Sequence, residues 1–176
     1  MKKINSAIYD AVSIVVPAIV VIAVMFTFCF RLVGVSGQSM DNTLHDGDWL
    51  LVMPYYGAPD YGDIIISTQE NSRHENIVKR IIGMEGDVID RAPDGTMIRN
   101  GEALEETGYI CNGEISGNLT GNVEFPLTVP ENCVFVMGDN RGISLDSRYT
   151  SIGFIQKDYL LGKAIARLSS DWNVYE

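Results

Sequence analysis

From Ala11 to Phe30 the chain carries no charged residue and is dominated by Val, Ile, Ala and Phe, with polar interruptions only at Ser13 and Thr27. As a helix rising about 1.5 Å per residue, such a run spans roughly the 30 Å hydrocarbon core of a bilayer. The pattern therefore predicts one membrane crossing. Pro17, about two turns in, removes one helical hydrogen bond and kinks the span without preventing insertion. Lys2 and Lys3 precede the run and only Arg31 follows it closely, so the positive-inside bias puts the amino terminus in the cytoplasm. The expected layout is a cytoplasmic tail over residues 1–10, a transmembrane helix over 11–30 and an extracytoplasmic domain over 31–176. A cleaved secretory leader is the rival. The apolar run exceeds the usual leader core of about 7–15 residues, and Arg31 interrupts it before the small residues Val35 and Gly37.

Beyond Arg31 the pattern changes to short β-like runs. Strands are predicted at Trp49 to Met53, Asp63 to Ser67, Ile77 to Ile82, Val88 to Asp90, Met97 to Arg99, Val134 to Met137 and Ala164 to Leu168. Glycine and Asp-Gly or Asn-Gly pairs punctuate them, and Asp94-Gly95 and Asn100-Gly101 flank Met97 to Arg99 at hairpin spacing. A mainly β, antiparallel domain follows. The stretch from about Arg91 to Pro130 is richer in Gly, Asn, Glu and Thr than its flanks, which predicts a small lobe inserted into the core; no internal repeat is evident.

Composition narrows the function classes. The net charge of −10 makes nucleic acid an unsuitable partner. Cys29, Cys111 and Cys133 lack paired metal-ligand spacing and only His45 and His74 accompany them, so no metal site is expected, and the chemistry considered below calls for no organic cofactor. Cys111 and Cys133 are able to pair in an oxidising compartment, with free buried thiols the alternative.

Three polar constellations carry candidate chemistry. Ser39 lies about eight residues beyond the predicted membrane exit, where a nucleophile works at the bilayer surface, and Asp41 in place of a second glycine rules out the G-x-S-x-G elbow. In Asn76-Ile77-Val78-Lys79-Arg80-Ile81-Ile82-Gly83, alternation places Lys79 on one face with Ile77 and Ile81, and Arg80 on the other with Val78 and Ile82. An ammonium shielded from water loses solvation and becomes a general base near neutrality, which arginine cannot do. The acidic net charge works against that shift, so desolvation must dominate. In the third constellation, Ser144, Asp146 and Arg148 alternate after the strand Val134 to Met137 and point to one side if extended. A Ser39 site with His45 or His74 as base is the formal alternative.

Taken in order, these elements resemble the type I signal peptidase family. Ser39-Met40 with Thr43-Leu44 resembles its Ser-Met-x-Pro-Thr-Leu box, followed by Gly47-Asp48. Tyr61-Gly62-Asp63-Ile64-Ile65 is similar to its Arg-Gly-Asp-Ile-Val strand. Lys79-Arg80-Ile81-Ile82-Gly83 with Gly86-Asp87 resembles the lysine box, Gly138-Asp139-Asn140-Arg141 through Arg148 the last box, and Gly162-Lys163-Ala164 a motif near the end. Two positions depart from the pattern. Asn42 stands where the family has proline, and Gly37 stands where Gram-negative members carry a hydroxyl residue of the oxyanion hole, as in the Gram-positive pattern.

The resemblance implies a membrane-anchored serine endopeptidase that cuts signal peptides from exported preproteins, with Ser39 as nucleophile and Lys79 as base. It implies that Ser144 hydrogen-bonds and orients Lys79, and that Asp146 orders the site through Arg148. It also implies an oxyanion hole at Ser39 and Gly37, and a shallow pocket lined by Val35, Met40, Leu44 and Val78 that favours small residues one and three positions before the cut. The expected partners are signal peptides and the lipid bilayer. Two other classes compete: a self-cleaving Ser/Lys repressor domain, opposed by the apolar span and the lack of a DNA-binding pattern, and a catalytically dispensable helper in pilus or surface-protein assembly, opposed by the presence of both Ser39 and Lys79.

Overall fold

The structure is a computed structural model that describes residues 2–54, 58–70, 75–110 and 121–168, with side chains described from Ile8 onward except at 25 and 28. Helix α1 (Lys2–Cys29) contains Pro17. Its described apolar side chains, from Ile8 to Phe26, are all more than half exposed or close to it. Among the residues whose side chains are described, no helical stretch is long and apolar enough to cross a membrane, so the predicted crossing over 11–30 is not shown.

Two antiparallel sheets follow. The strands in chain order are β1 (Arg31–Gly34), β2 (Trp49–Met53), β3 (Ile64–Ser67), β4 (Ile77–Met84), β5 (Val88–Arg91), β6 (Met97–Arg99), β7 (Glu102–Ala103), β8 (Leu127–Thr128), β9 (Cys133–Met137), β10 (Ile155–Gln156) and β11 (Leu160–Leu168). The larger sheet has the order β1-β2-β11-β3-β4-β9-β10 and the smaller one β7-β6-β5-β8. The mainly β antiparallel class expected from the sequence is the class observed. Asn100 and Gly101 both take positive φ, 55° and 86°, the backbone that a two-residue hairpin between β6 and β7 requires.

Strand alternation sorts the core into three groups. Ile77 and Ile81 of β4 pack with Ile65, Val134, Val136, Ile152 and Ile155. From its opposite face, Ile82 joins Phe135 and Met137 of the large sheet to Ile89, Met97 and Val129. That second group seats the small sheet on the large one. A Cβ at Gly83 would collide with the Ile89 side chain, so glycine there permits the close approach. Val35, Met40 and Leu44 pack with Leu50, Val52 and Ile66 in the third group, anchoring the segment between β1 and β2. Each fully buried aliphatic side chain of this kind contributes about 1.5–3 kcal/mol, an upper bound because the unfolded chain is itself partly collapsed.

Candidate active site

The segment joining β1 to β2 carries Ser39 and is closed by backbone bonds: Val35 N–H donates to Asp48 O at 2.8 Å and Gly47 N–H to Val35 O at 3.0 Å. Gly37 takes φ 88°, a left-handed conformation natural to glycine, and its N–H donates to Asp46 Oδ1 at 2.8 Å. Asn42 also takes positive φ, 74°. Proline is locked near −65°, so the proline the family pattern places there does not fit this loop. Asn42→Pro should therefore destabilise the protein by more than about 1 kcal/mol while Asn42→Gly does not, as a comparison of their thermal midpoints with wild type would reveal.

Lys79 reaches this segment from the middle of β4, flanked on its face by Ile77 and Ile81 as alternation predicted. Only 4% of it is exposed. Its Nζ donates to Ser39 Oγ at 2.7 Å and to Val78 O at 2.9 Å. Both groups line a cleft of about 530 Å³, together with Val35, Gly37, Met40, Val78 and the exposed Ile143. Leu44 does not line it. Its side chain faces the third core group, because the turn made by Leu44 N–H donating to Met40 O carries the chain away from the opening.

The loop after β9 surrounds Ser39 from the other side. Asp146, fully buried, accepts Gly138 N–H at 3.0 Å through Oδ2 and holds Arg148 with both oxygens, at 2.8 Å from Nε and 2.9 Å from Nη2. Such a bidentate pair fixes orientation as well as charge. Asn140 N–H donates to the Ser39 carbonyl at 3.1 Å. Gly138 has no room for a side chain, since a Cβ would collide with Ser144 Oγ and the Ser39 carbonyl.

The expected bond between Ser144 and Lys79 is not made. Ser144 Oγ is buried with no hydrogen-bond partner among the described residues, and Lys79 Nζ turns instead to Ser39 and Val78. A buried hydroxyl left so costs about 1–3 kcal/mol.

The histidine alternative fares differently. His45 N–H donates to Asp48 Oδ2 at 2.7 Å, and its Nδ1 lies 2.8 Å from Arg167 Nη2; the Ser39 hydroxyl is bonded to lysine. His74 lies outside the described residues. So does Cys111, while Cys133 is a buried free thiol.

Two features of the site were not foreseen. Arg80, on the face opposite Lys79, binds Asp139 through Nε at 2.8 Å and Nη2 at 2.6 Å, and Thr43 Oγ1 donates to Asp139 Oδ2 at 2.5 Å. This triad ties the nucleophile segment, β4 and the last loop together. Alternation of β4 and the acid in Gly138-Asp139-Asn140 were the available signals. The second feature is a buried pair, Glu106 with Arg141, whose Nη1 and Nη2 donate to the carboxylate at 2.7 and 2.5 Å. Burial acts first to lower the Arg141 pKa, but the Glu106 carboxylate more than offsets it and holds the guanidinium above its ordinary value. Glu106 belongs to the 91–130 stretch and had no local signal.

Comparison with known proteins places the chain in a family. The family model described as signal peptidase, peptidase S26, matches residues 8–169. The chain is 35% identical over 165 residues to a signal peptidase I of Bacillus licheniformis, covering 90% of this chain and 87% of that one. It is 38% identical over 168 residues to a signal peptidase I P of Bacillus subtilis subsp. natto, covering 91% and 88%. A crystal structure of a signal peptidase I from Enterococcus faecalis aligns with a TM-score of 0.46 at 29% identity, covering 62% of this chain and 98% of that one. By its family match and its extended likeness to these relatives, the chain belongs to the signal peptidase family, peptidase S26, and is a hydrolase of that family.

Proposed function

We propose that the protein cleaves signal peptides from exported preproteins with Ser39 as nucleophile and Lys79 as general base. The observation that carries this reading is the 2.7 Å contact between Lys79 Nζ and Ser39 Oγ, made by a lysine that is 4% exposed. Neutral Lys79 takes the hydroxyl proton as Ser39 Oγ bonds to the scissile carbonyl carbon. The tetrahedral intermediate then collapses, the C–N bond breaks, and the Lys79 ammonium returns that proton to the leaving amine. Water next attacks the acyl-enzyme, giving its proton to Lys79, which passes it back to Ser39 Oγ as the new carboxyl end departs. Because Gly37 N–H is occupied by Asp46, the oxyanion donor from the backbone is Ser39 N–H, placed by the Asn140 bond to the Ser39 carbonyl. Asp146 and Arg148 hold this loop in place, and Ser144 supplies a hydroxyl beside the reacting pair for Lys79 to use once it turns from Ser39.

Val35, Met40 and Val78 belong to the apolar lining of the cleft and select small residues one and three positions before the cut. Leu44 contributes from beneath by supporting Met40. Helix α1 acts as a single membrane anchor with its amino end in the cytoplasm and residues 31–176 outside, a reading supported by its exposed apolar side chains and by Lys2 and Lys3 ahead of the apolar run. Within that domain, residues 91–130 form the inserted lobe, and the smaller sheet built largely from them supports this division.

Cleavage of a model preprotein by the detergent-solubilised chain, followed against pH, tests the mechanism. A lysine base is active only as the neutral amine. Activity should therefore rise with pH and then level off. A flat profile from about pH 6 to 10 contradicts a lysine base. The alternative of a non-catalytic assembly helper predicts no turnover and no labelling of Ser39 by a serine-reactive acylating probe.

A further inference from the structure

Glu106 lies just after β7, outside the large sheet, yet only 7% of it is exposed. Its two carboxylate oxygens accept from Arg141 Nη1 and Nη2 at 2.7 and 2.5 Å. The same guanidinium, 1% exposed, donates from Nε to the Gly138 carbonyl at 3.0 Å. One rigid fork thus spans from the small-sheet region to the turn that holds the nucleophile, because Asn140 N–H within that turn donates to the Ser39 carbonyl at 3.1 Å. Gly138 itself abuts that carbonyl closely enough to exclude a Cβ.

A second contact runs in parallel. Tyr109 OH donates to Glu106 Oε1 at 3.0 Å, and the Tyr109 ring lies 4.2 Å from the Arg80 guanidinium carbon, face to cation. Arg80 holds Asp139, the residue between Gly138 and Asn140. Residues 106 and 109 therefore grip both sides of the same turn.

We propose that Glu106 is a positioning residue for Ser39, acting through Arg141 to set the turn at 138–140 and hence the approach of the Ser39 hydroxyl to Lys79. This rests on the Ser39 and Lys79 reading above. A carboxylate that merely fastened the small sheet to the large one would affect how much protein folds, but not the rate of each folded molecule. A residue that sets the nucleophile's placement affects kcat and leaves KM, since substrate contacts lie on the cleft walls.

The experiment compares wild type with Glu106→Gln in the full detergent-solubilised chain. Active sites are titrated by a serine-reactive acylating probe, and preprotein cleavage is measured as kcat and KM per titrated site. The amide keeps the shape but turns an N–H against one Arg141 donor, so kcat should fall about 10- to 100-fold with KM within about two-fold of wild type. In the double variant with Arg141→Lys the losses should be less than multiplicative, as for residues acting as a unit. A Glu106→Gln kcat within two-fold of wild type overturns the proposal, as does a loss confined to KM. Should Glu106→Gln not fold, Tyr109→Phe decides, because it removes one hydrogen bond and no charge. A several-fold drop in its kcat supports the proposal, and a kcat equal to wild type overturns it. Absence of Ser39 labelling in the wild type would instead refute the dyad itself.

Discussion

Replacing Lys79 with alanine should reduce preprotein cleavage at least about 10³-fold, and replacing Ser39 with alanine should reduce it as far, with the double variant no worse than either. The two side chains form one hydrogen-bonded unit. Without the amine, the hydroxyl has no group able to take its proton; without the hydroxyl, the amine has nothing to activate. Lys79→Arg should fail as completely, since a guanidinium stays protonated at any working pH. Folding should survive, because truncating Lys79 removes a buried amine and puts no new polar group into the core. Near-native far-UV circular dichroism with lost turnover is the expected pair of results. A Lys79→Ala enzyme turning over at the wild-type rate would remove the lysine from the mechanism.

The second large effect is expected at Asp139. Its carboxylate is fully buried and is held by Arg80 at 2.8 and 2.6 Å and by the Thr43 hydroxyl. Asp139→Ala leaves the Arg80 guanidinium, only 12% exposed in its side chain, without its counter-ion, and breaking one partner out of a buried pair costs about 3–5 kcal/mol. That is a large share of the 5–15 kcal/mol, roughly, by which domains are stable. The thermal midpoint should drop by ten degrees or more, roughly, and the remaining folded protein should cleave slowly because Thr43 no longer joins the nucleophile segment to the last loop. Pairing Asp139→Ala with Arg80→Met should recover part of the midpoint and little of the activity. A midpoint within two degrees, roughly, of wild type would mean that the triad contributes little.

Much of this architecture was legible from alternation alone. Trp49 to Met53 and Met97 to Arg99 coincide with β2 and β6, since both are apolar runs bounded by turn residues. Strand β4 continues past Ile82 to Met84, because Gly83 supports a register shift against β9 rather than a stop. Strand β11 begins at Leu160 rather than Ala164 for a similar reason, the shift lying beside Gly162. Strand β1 was missed because Arg31 to Gly34 reads as the exit from an apolar run. In the site, Ser39 and Lys79 come together although 40 residues apart. Leu44 sits in the core because four-residue turns redirect side chains in ways a linear pattern does not express. Ser144 fails to meet Lys79 because the loop turns back, Ser144 N–H donating to Asn140 O, instead of running extended. Glu106 and Arg141 are invisible beforehand, as an ion pair between distant loops has no period and no local spacing.

Strand β11 is the last of the described strands along the chain, yet it lies between β2 and β3. On one side of it hangs the segment bearing Ser39, and on the other the strand bearing Lys79 by way of β3. Among the described residues, no sheet hydrogen bond connects those two halves except through β11. Without that strand, only loop and side-chain contacts such as the Arg80, Asp139 and Thr43 triad hold the Ser39 segment against β4, so closure of the large sheet and assembly of the cleft are one event.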